Sequence, residues 1–492
     1  MFPKVFPEEV GISSQNVLEY IKYLEKRGLH MHSVIMARGN KIFTECYWKP
    51  FNDKSLHRMY SATKSYVGIA VSQLAAEGKI SLDDKIIDYF PESQPDEIHE
   101  YFKFQTIRNM LTMQTCVENT DWFKENIEDR VEHYFALKPC RPPQTSFYYD
   151  SEGSFVLGAL VEKITGKNFL DYLRSKCLDE IGFSKEAYCL KAPGGYAWGD
   201  SALLATPIDM LLFGRLIAQK GKWNGKQLLD ENAVAEAIKK QTDNYSATTT
   251  EVSAFNNMGY GYQIWRCFNN SFAFCGMHSQ FVIYDADTDI TFVCTAGNPM
   301  GASNHIIIEG LFNYIIDRAD NVISEDKIMQ NKLVDYINQL KLYALKGNAI
   351  SEFEKTIAAK TFTAEPNPMG ITSFSFHFDK DNIIWRYKNK QGEKELSFGR
   401  NKNNFCDFPQ TGYSNKIGGK SCDGHTYFCA VSATWKEDKK LSLLVQVIDE
   451  YIGVLNVTVS FADDKAFITM YKHAENFMDE YMGNLTAKTD LK

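Results

Sequence analysis

Hydrophobic and polar positions alternate in two different ways along the chain, and the first 340 residues combine helical and strand-like spacing. Residues 33–37 and 41–48 have strand composition, and Arg38, Gly39 and Asn40 between them suit a hairpin turn. From Ser61 onward, apolar residues recur every three or four positions, which predicts a helix that Gly78 ends. Further helices are predicted at residues 106–112, 155–164, 207–219, 304–316 and 327–343, and further strands at 260–267, 272–274, 281–284 and 290–295.

Strands at both ends of this region, with helices between them, predict an α/β (α+β) domain whose sheet unites N-terminal and C-terminal strands. Beyond residue 345 the apolar period changes to two, as in residues 371–378 and 455–461. We expect a C-terminal antiparallel β-sheet or barrel domain there, with 347–349 as a linker. The predicted domains are therefore residues 1–345 and 346–492. Other predicted strands of the second domain are residues 382–387, 427–433, 441–448 and 466–471.

Composition narrows the functional class. The chain has 492 residues, 44% of them hydrophobic and 24% charged, with a formal net charge of -8. That balance argues against disorder and gives no electrostatic basis for binding nucleic acid or an anionic membrane. Apolar runs stay well short of the roughly 20 residues that cross a bilayer, and the first residues lack an apolar signal core. A cytoplasmic location is expected.

Metal and cofactor motifs are missing from the sequence. The 11 cysteines include no Cys-x-x-Cys pair, and the 10 histidines include no His-Glu-x-x-His. There is also no Gly-x-Ser-x-Gly, Walker-type lysine loop or Gly-x-Gly-x-x-Gly. We expect core thiols and no cofactor or metal.

The sharpest chemical signal is Ser61 and Lys64, one helical turn apart at the start of a predicted helix. A serine alcohol is a weak nucleophile until a base or cation lies beside it, and Lys64 is placed to supply one. The spacing alone is weak, because Ser324 and Lys327 repeat it where two acids between them indicate an exposed helix start.

The surrounding residues raise the significance of Ser61. Residues 57–66 read HRMYSATKSY, and this run resembles the nucleophile motif of the serine β-lactamase and penicillin-binding-protein superfamily. Its class C-like branch, with esterases, D-aminopeptidases and 6-aminohexanoate-dimer hydrolases, is the best match. The resemblance extends over roughly residues 5–320, through residues 82–85, 89–92, 106–113, 223–226 and Asp230.

This resemblance implies further site residues. The second family motif, Tyr-x-Asn, matches Tyr149 and Ser151, so the resemblance implies that Tyr149 shares proton transfer with Lys64. Ser151 is shorter than the family asparagine, which puts recognition of a substrate amide in doubt. An ordinary half-buried loop tyrosine is the competing interpretation of Tyr149.

The third family motif, Lys-Thr-Gly, aligns with residues 274–276, so that Phe274 replaces the lysine and Gly276 is retained. The resemblance implies an oxyanion hole made by the backbone N–H groups of Ser61 and Met277. Phe274 is expected to lie beside the nucleophile and to disfavour carboxylate-bearing substrates. His278 and Trp198 are further candidates for substrate contact, and the competing interpretation is a satisfied structural histidine and a tryptophan packed in a turn.

Together these residues predict a serine hydrolase that forms an acyl-enzyme with an ester or amide of a small molecule or short peptide. The alternative is a non-catalytic binding or scaffold protein that keeps a β-lactamase-like fold. Ser61, Lys64 and Tyr149 favour the enzyme, whereas Ser151 and Phe274 keep the alternative open. The sequence does not indicate the natural substrate or the oligomeric state.

Overall fold

The structure is a computed structural model, and it describes residues 2–120, 127–245, 257–268, 271–299, 301–411, 426–449, 451–462, 464–473 and 478–489. Its contacts divide the chain into two compact units. The first consists of Met1–Ala296 and Met300–Lys341, and the second of Gly297–Pro299 and Leu342–Lys492. Within the described ranges, no helix combines the length and the apolar character needed to span a bilayer.

Helices and short strands alternate in the first unit. Its helices are α1 (Ser14–Lys26), α2 (Thr63–Ala76), α3 (Ile107–Leu111), α4 (Arg130–Ala136), α5 (Ser151–Thr165), α6 (Phe169–Leu173), α7 (Asp179–Ile181), α8 (Pro207–Ala218), α9 (Glu231–Ile238), α10 (Ala302–Tyr314) and α11 (Lys327–Asn338). Its strands are β1 (Met31–Arg38), β2 (Lys41–Tyr47), β3 (His57–Arg58), β4 (Tyr188–Cys189), β5 (Leu203–Ala205), β6 (Lys222–Trp223), β7 (Lys226–Gln227), β8 (Trp265–Arg266), β9 (Phe272–Gly276), β10 (Gln280–Asp285) and β11 (Ile290–Ala296).

An antiparallel sheet with the strand order β2-β1-β11-β10-β9-β8 is the centre of this unit. β1 pairs with both β2 and β11, and Val34 lies opposite Cys294 in the β1–β11 register. The prediction that one sheet unites early and late strands is therefore confirmed. Side chains on alternate positions of each strand point to opposite faces, so the sheet buries two apolar surfaces.

Helices cover both faces of the sheet. Val34 and Met36 of β1 share one core with α1 and α10, where Ile21 and Leu311 are fully buried. On the other face α8 packs against β10, and a Cβ on Gly214 of α8 would lie 2.5 Å from a Val282 methyl group. α2 continues the helical layer, and every residue from Thr63 to Ser72 is buried. This complete burial makes a lysine in α2 unusual.

Two predicted elements of the first unit are shorter than expected. Of residues 260–267, only Trp265 and Arg266 form a strand, because Gly259 and Gln263 have φ of 99° and 59° and turn the chain. The helix predicted over residues 327–343 ends at Asn338. Beyond it, the Leu340 carbonyl oxygen accepts a hydrogen bond from the Lys49 backbone N–H instead of one from a later helical turn.

The second unit is a β-barrel with one short helix, α12 (Glu354–Ile357). Its strands are β12 (Thr361–Ala364), β13 (Ser373–Phe378), β14 (Asn382–Asn389), β15 (Gly392–Arg400), β16 (Asn404–Thr411), β17 (Thr426–Glu437), β18 (Lys440–Ile448), β19 (Ile452–Ala462), β20 (Lys465–His473) and β21 (Gly483–Lys488). Among the described residues, all of these except β16 form a closed ring of nine strands. The ring closes where β15 pairs with β17, with Gly399 opposite Ser432, and β16 pairs with β17 separately.

Aromatic side chains fill the barrel. Phe376, Trp385, Trp435 and Phe461 are all at most 5% exposed, and the Trp435 and Phe461 ring centroids lie 6.1 Å apart. The two-residue period thus indicated the fold class correctly, whereas β12, β15, β16 and β21 were not predicted from it. Closure of the ring leaves fewer exposed strand edges than an open sheet of the same strands.

The segment at residues 347–349 is not a free linker. Asn348 and Trp435 exchange backbone hydrogen bonds of 3.0 and 2.9 Å, so this segment is part of the second unit. The chain instead changes unit between Lys341 and Leu342. Independent folding of the two predicted domains stays a prediction.

We expect limited trypsin digestion of the whole chain to cut first at Lys341 or Lys346, both of which are exposed. Few contacts link separate units at such positions, so two resistant fragments should remain, with ends that intact-mass measurement can assign. Early cleavage confined to the barrel, with no fragment that ends at residues 341–346, would contradict this prediction.

Candidate active site

Ser61 lies in a short 3-10 turn, Tyr60–Ala62, immediately before α2. The helix was expected to begin at Ser61 itself, but it begins at Thr63. Tyr60 has φ of 46°, a left-handed conformation that costs a residue other than glycine about 1–3 kcal/mol. The Arg58 guanidinium carbon lies 4.6 Å from the centre of the buried Tyr60 ring. This turn leaves the Ser61 side chain partly exposed at the end of a buried helix.

The amine of Lys64 is buried beside this serine, and only 1% of the residue is exposed. Its Nζ donates hydrogen bonds to Ser61 Oγ at 2.9 Å and to the Asp200 carbonyl oxygen at 2.7 Å. Burial disfavours the charged amine and lowers the pKa of Lys64 to about 8, against the opposing attraction of the Asp200 carboxylate. About half of the amine is therefore neutral near pH 8 and able to accept a proton.

Tyr149 completes the group around Ser61. The centre of its ring lies 5.1 Å from Lys64 Nζ, and the ring stacks on Trp265 at a centroid distance of 5.5 Å. Burial raises the pKa of the Tyr149 phenol well above its usual value, and a hydrogen bond with the Ser61 side chain opposes part of that rise. The phenol therefore keeps its proton at neutral pH. Asn119 holds the segment by donating to the Tyr149 carbonyl oxygen at 2.6 Å.

A close backbone approach brings β9 next to the Ser61 turn. A Cβ on Gly276 would lie 2.1 Å from the Met59 carbonyl oxygen, which is a severe overlap. Glycine is therefore required for the strand to pass this close to the turn. Met277 follows directly, in the 3-10 turn Met277–Ser279. Its backbone N–H is thus close in sequence to the contact, and its role as an oxyanion donor stays a prediction.

Two predicted pocket residues belong to the core instead. Phe274 is fully buried, and its ring centroid lies 5.9 Å from that of Phe213 and 6.3 Å from that of Tyr66. Trp198 is 1% exposed, and the Arg58 guanidinium carbon lies 4.4 Å from the centre of its ring. Neither ring is available to a substrate in this structure, because packing of the helical layer takes up both.

Ser151 and His278 occupy backbone positions with structural demands of their own. Ser151 is the first residue of α5, and its backbone N–H donates to the Asn119 side-chain oxygen at 2.6 Å. His278 is 2% exposed, has φ of 60°, and contacts the ring of Tyr60 edge-on at a centroid distance of 5.2 Å. Substrate contact by either side chain stays a prediction.

Sequence reasoning missed Asp200 and Arg130. Asp200 lies two residues after the candidate Trp198, and its carbonyl oxygen accepts a hydrogen bond from Lys64. Arg130 is fully buried and forms ion pairs with Asp200 at 2.6 Å and with Glu152 at 3.0 Å. Glu152 lies three residues before the predicted helix at 155–164, among polar and small residues, so the sequence gives no sign that this carboxylate is buried.

The comparison with protein families agrees with this fold. A family model described as Beta-lactamase matches residues 21–299, more than half of the chain. The chain therefore belongs to the Beta-lactamase family, a family of hydrolases, and the resemblance seen in its motifs is confirmed.

Among the described residues, no group of three or more His, Cys, Asp or Glu side chains is arranged to hold a metal ion.

Individual relatives are distant but cover much of their own length. Over 293 residues the chain is 22% identical to the 6-aminohexanoate-dimer hydrolase of Paenarthrobacter ureafaciens. The aligned region covers 55% of this chain and 74% of that protein. A Bacillus anthracis structure assigned as a 6-aminohexanoate-dimer hydrolase has a TM-score of 0.53 at 20% identity, over 64% of this chain and 86% of its own. A penicillin-binding-protein homologue from Caulobacter crescentus has a TM-score of 0.50 at 13% identity, and the match covers 62% of this chain and 98% of that structure's chain. These solved structures share the fold.

The lowered pKa of Lys64 generates a pH prediction. We expect acylation of the protein by a neutral fluorophosphonate to slow as pH falls through about 8, because the protonated amine cannot accept the serine proton. Labelling should be about 50-fold slower at pH 6 than at pH 8. The check is a time course of labelling at each pH, with Lys327→Met as the control for an exposed lysine at the same Ser-x-x-Lys spacing. A flat profile between pH 6 and 8 would contradict the assignment.

Proposed function

We propose that the chain is a serine hydrolase that forms an acyl-enzyme on Ser61. The observation that carries this proposal is the 2.9 Å hydrogen bond between the buried Lys64 amine and the Ser61 hydroxyl. A lysine whose pKa is lowered to about 8 is close to the working pH of a general base. The partly exposed Ser61 side chain is the one member of this pair that a substrate reaches directly.

The first half of the proposed reaction transfers an acyl group to the enzyme. Ser61 Oγ attacks the carbonyl carbon of the substrate, and its proton moves to neutral Lys64. The oxygen of the tetrahedral intermediate gains negative charge, which the backbone N–H groups of Ser61 and Met277 would stabilise. The C–O or C–N bond to the leaving group then breaks. The protonated Tyr149 donates to the departing atom and regains a proton from the Lys64 ammonium.

Water completes the reaction. It attacks the Ser61 ester, gives up a proton to neutral Lys64, and releases the carboxylic acid while Ser61 recovers its hydroxyl proton. The proton transfers in these steps use Lys64 and Tyr149, which both contact the Ser61 side chain, and the proposed mechanism needs no cofactor.

An aromatic pair beside Ser61 supports a substrate with an apolar or flat group. Trp265 stacks on Tyr149 at a centroid distance of 5.5 Å, and both residues are partly exposed. Such surfaces bind apolar or flat groups of a substrate. A relative named 6-aminohexanoate-dimer hydrolase supports hydrolysis of an amide in a small molecule, and an ester is the easier substrate for the same chemistry. A short peptide is a further candidate, and the cytoplasmic location inferred from composition stays a prediction.

The nucleophile has a direct test. We expect Ser61→Ala to abolish labelling by a fluorophosphonate and to lower kcat for p-nitrophenyl butyrate at least 10³-fold, because the attacking oxygen is gone. Folding should persist, since the side chain is partly exposed. Peptide mass mapping of the wild-type label should place it on Ser61. Ser324→Ala is the matched control, because Ser324 has the same spacing to a lysine.

The scaffold alternative makes the opposite prediction. A well-folded wild-type chain that resists every serine-directed acylator would favour a binding protein that kept the family fold. Near-full esterase activity in Ser61→Ala would instead show that a different residue is the nucleophile.

Substrate charge gives a second test of function. The family lysine of the third motif is Phe274 here, and the ring is buried, so that position offers no cation to a substrate carboxylate. A charge-assisted hydrogen bond of this kind contributes about 1.5–3 kcal/mol. We therefore expect kcat/KM for the neutral ester p-nitrophenyl butyrate to exceed that for nitrocefin, which carries a carboxylate. Equal or faster nitrocefin turnover would contradict the proposed preference.

A further inference from the structure

A cluster of three charged side chains is buried behind the Lys64 amine. Arg130, at the start of α4, has no exposed side-chain surface, and Glu152 and Asp200 are 1% and 5% exposed. Arg130 donates through Nη1 and Nη2 to the two Asp200 carboxylate oxygens at 2.6 and 3.2 Å, and through Nε to Glu152 at 3.0 Å. The Arg130 guanidinium carbon also lies 4.4 Å from the centre of the Phe155 ring. The contacts with Asp200, Glu152 and Phe155 together fix the orientation of the Arg130 guanidinium.

Asp200 joins the cluster to the candidate site. Asp200 binds Arg130 with its carboxylate and accepts from Lys64 Nζ with its backbone carbonyl oxygen, at 2.7 Å. The two-pronged contact fixes the carboxylate in both position and plane. The carbonyl of the same residue is consequently held in place against the amine. Movement of Asp200 would move the Lys64 amine relative to Ser61.

We propose that Arg130 and Glu152 are positioning residues that hold Asp200 so that its carbonyl oxygen fixes the Lys64 amine against Ser61. This inference rests on the proposed function of Ser61 and Lys64. It assigns no direct substrate contact to Arg130 or Glu152. A buried ion cluster is weak evidence of a role in stability, because its replacement by well-packed apolar residues is often neutral or stabilising.

Charge makes the role of the cluster measurable. Three carboxylates face Lys64, namely Asp200, Asp150 and Glu152, and each favours the protonated amine, whereas Arg130 disfavours it. Burial raises the pKa of Glu152 to about 7, against the effect of Arg130, so this carboxylate is mostly ionised where Lys64 titrates. Removal of one carboxylate without a change of shape must therefore lower the pKa of Lys64.

The second unit contains a matched control for ordinary burial of charge. Arg400 donates to Glu354 with the same two-pronged geometry, at 2.6 and 2.9 Å, and both residues are buried. Glu354→Gln breaks a buried pair of the same type that belongs to the other unit. Loss of stability alone should therefore look alike in Glu354→Gln and Glu152→Gln.

The test titrates the full-length protein by NMR, with 13C in the lysine side chains and Lys64→Met to assign the Lys64 signal. We expect the Lys64 signal to titrate near pH 8 in the wild type and at least half a pH unit lower in Asp200→Asn and in Glu152→Gln. Glu354→Gln should leave it unchanged. If Asp200→Asn does not fold, Glu152→Gln provides the same comparison, because it lies outside the hydrogen bonds of Lys64.

Kinetics test the positioning itself. Arg130→Lys keeps the positive charge but loses the pair of guanidinium nitrogens that binds the Asp200 carboxylate. We therefore expect kcat for p-nitrophenyl butyrate to fall at least tenfold while KM stays within twofold. Folded Asp200→Asn and Glu152→Gln variants with unshifted Lys64 titrations, or full kcat in Arg130→Lys, would overturn the inference. Absence of a label on wild-type Ser61 would instead overturn the proposed function, and shifted Lys64 titrations would then still support the link between the cluster and the amine.

Discussion

A buried lysine amine keeps its proton only where oxygen atoms accept hydrogen bonds from it, and otherwise becomes neutral. Both effects act on the protonation of Lys64. α2 is buried on all sides at this point, so only Ser61 Oγ and the Asp200 carbonyl oxygen accept from Nζ in the described hydrogen bonds. Both are neutral acceptors, which stabilise the ammonium less than carboxylates in direct contact would. The pKa near 8 follows from this arrangement, and the proposed proton transfer from Ser61 depends on it.

Backbone strain and close packing also act on the turn that carries Ser61. The left-handed Tyr60 raises the energy of the turn that carries Ser61, and packing of the ring against Arg58 offsets part of it. Gly276 lets β9 approach the Met59 carbonyl more closely than any side chain would permit. The turn is thus held between a core arginine and a sheet strand, which keeps a partly exposed serine in one place.

Local spacing was enough to predict the parts of the site that lie close together in sequence. Ser61 and Lys64 are three residues apart, so helical geometry alone brings them into contact. Phe274 and Trp198 were wrongly placed at the pocket, because spacing does not tell whether a large ring faces substrate or core. Asp200 contacts Lys64 from 136 positions away, a pairing that only the folded chain defines. In the barrel, the four strands that were not predicted include short β12, which relies on its neighbours for burial.

The pairing of β1 with β11 also has a consequence for synthesis of the protein. Val34 and Cys294 face each other across the central sheet, although 260 residues separate them. The sheet cannot close until the ribosome has released almost the whole first unit. At 5–20 residues per second, the N-terminal hairpin waits roughly 13–50 s for its partner strand. During that interval the edge of β1 that pairs with β11 has no hydrogen-bonding partner, and of the two helices that pack on the Val34 face only α1 has been made.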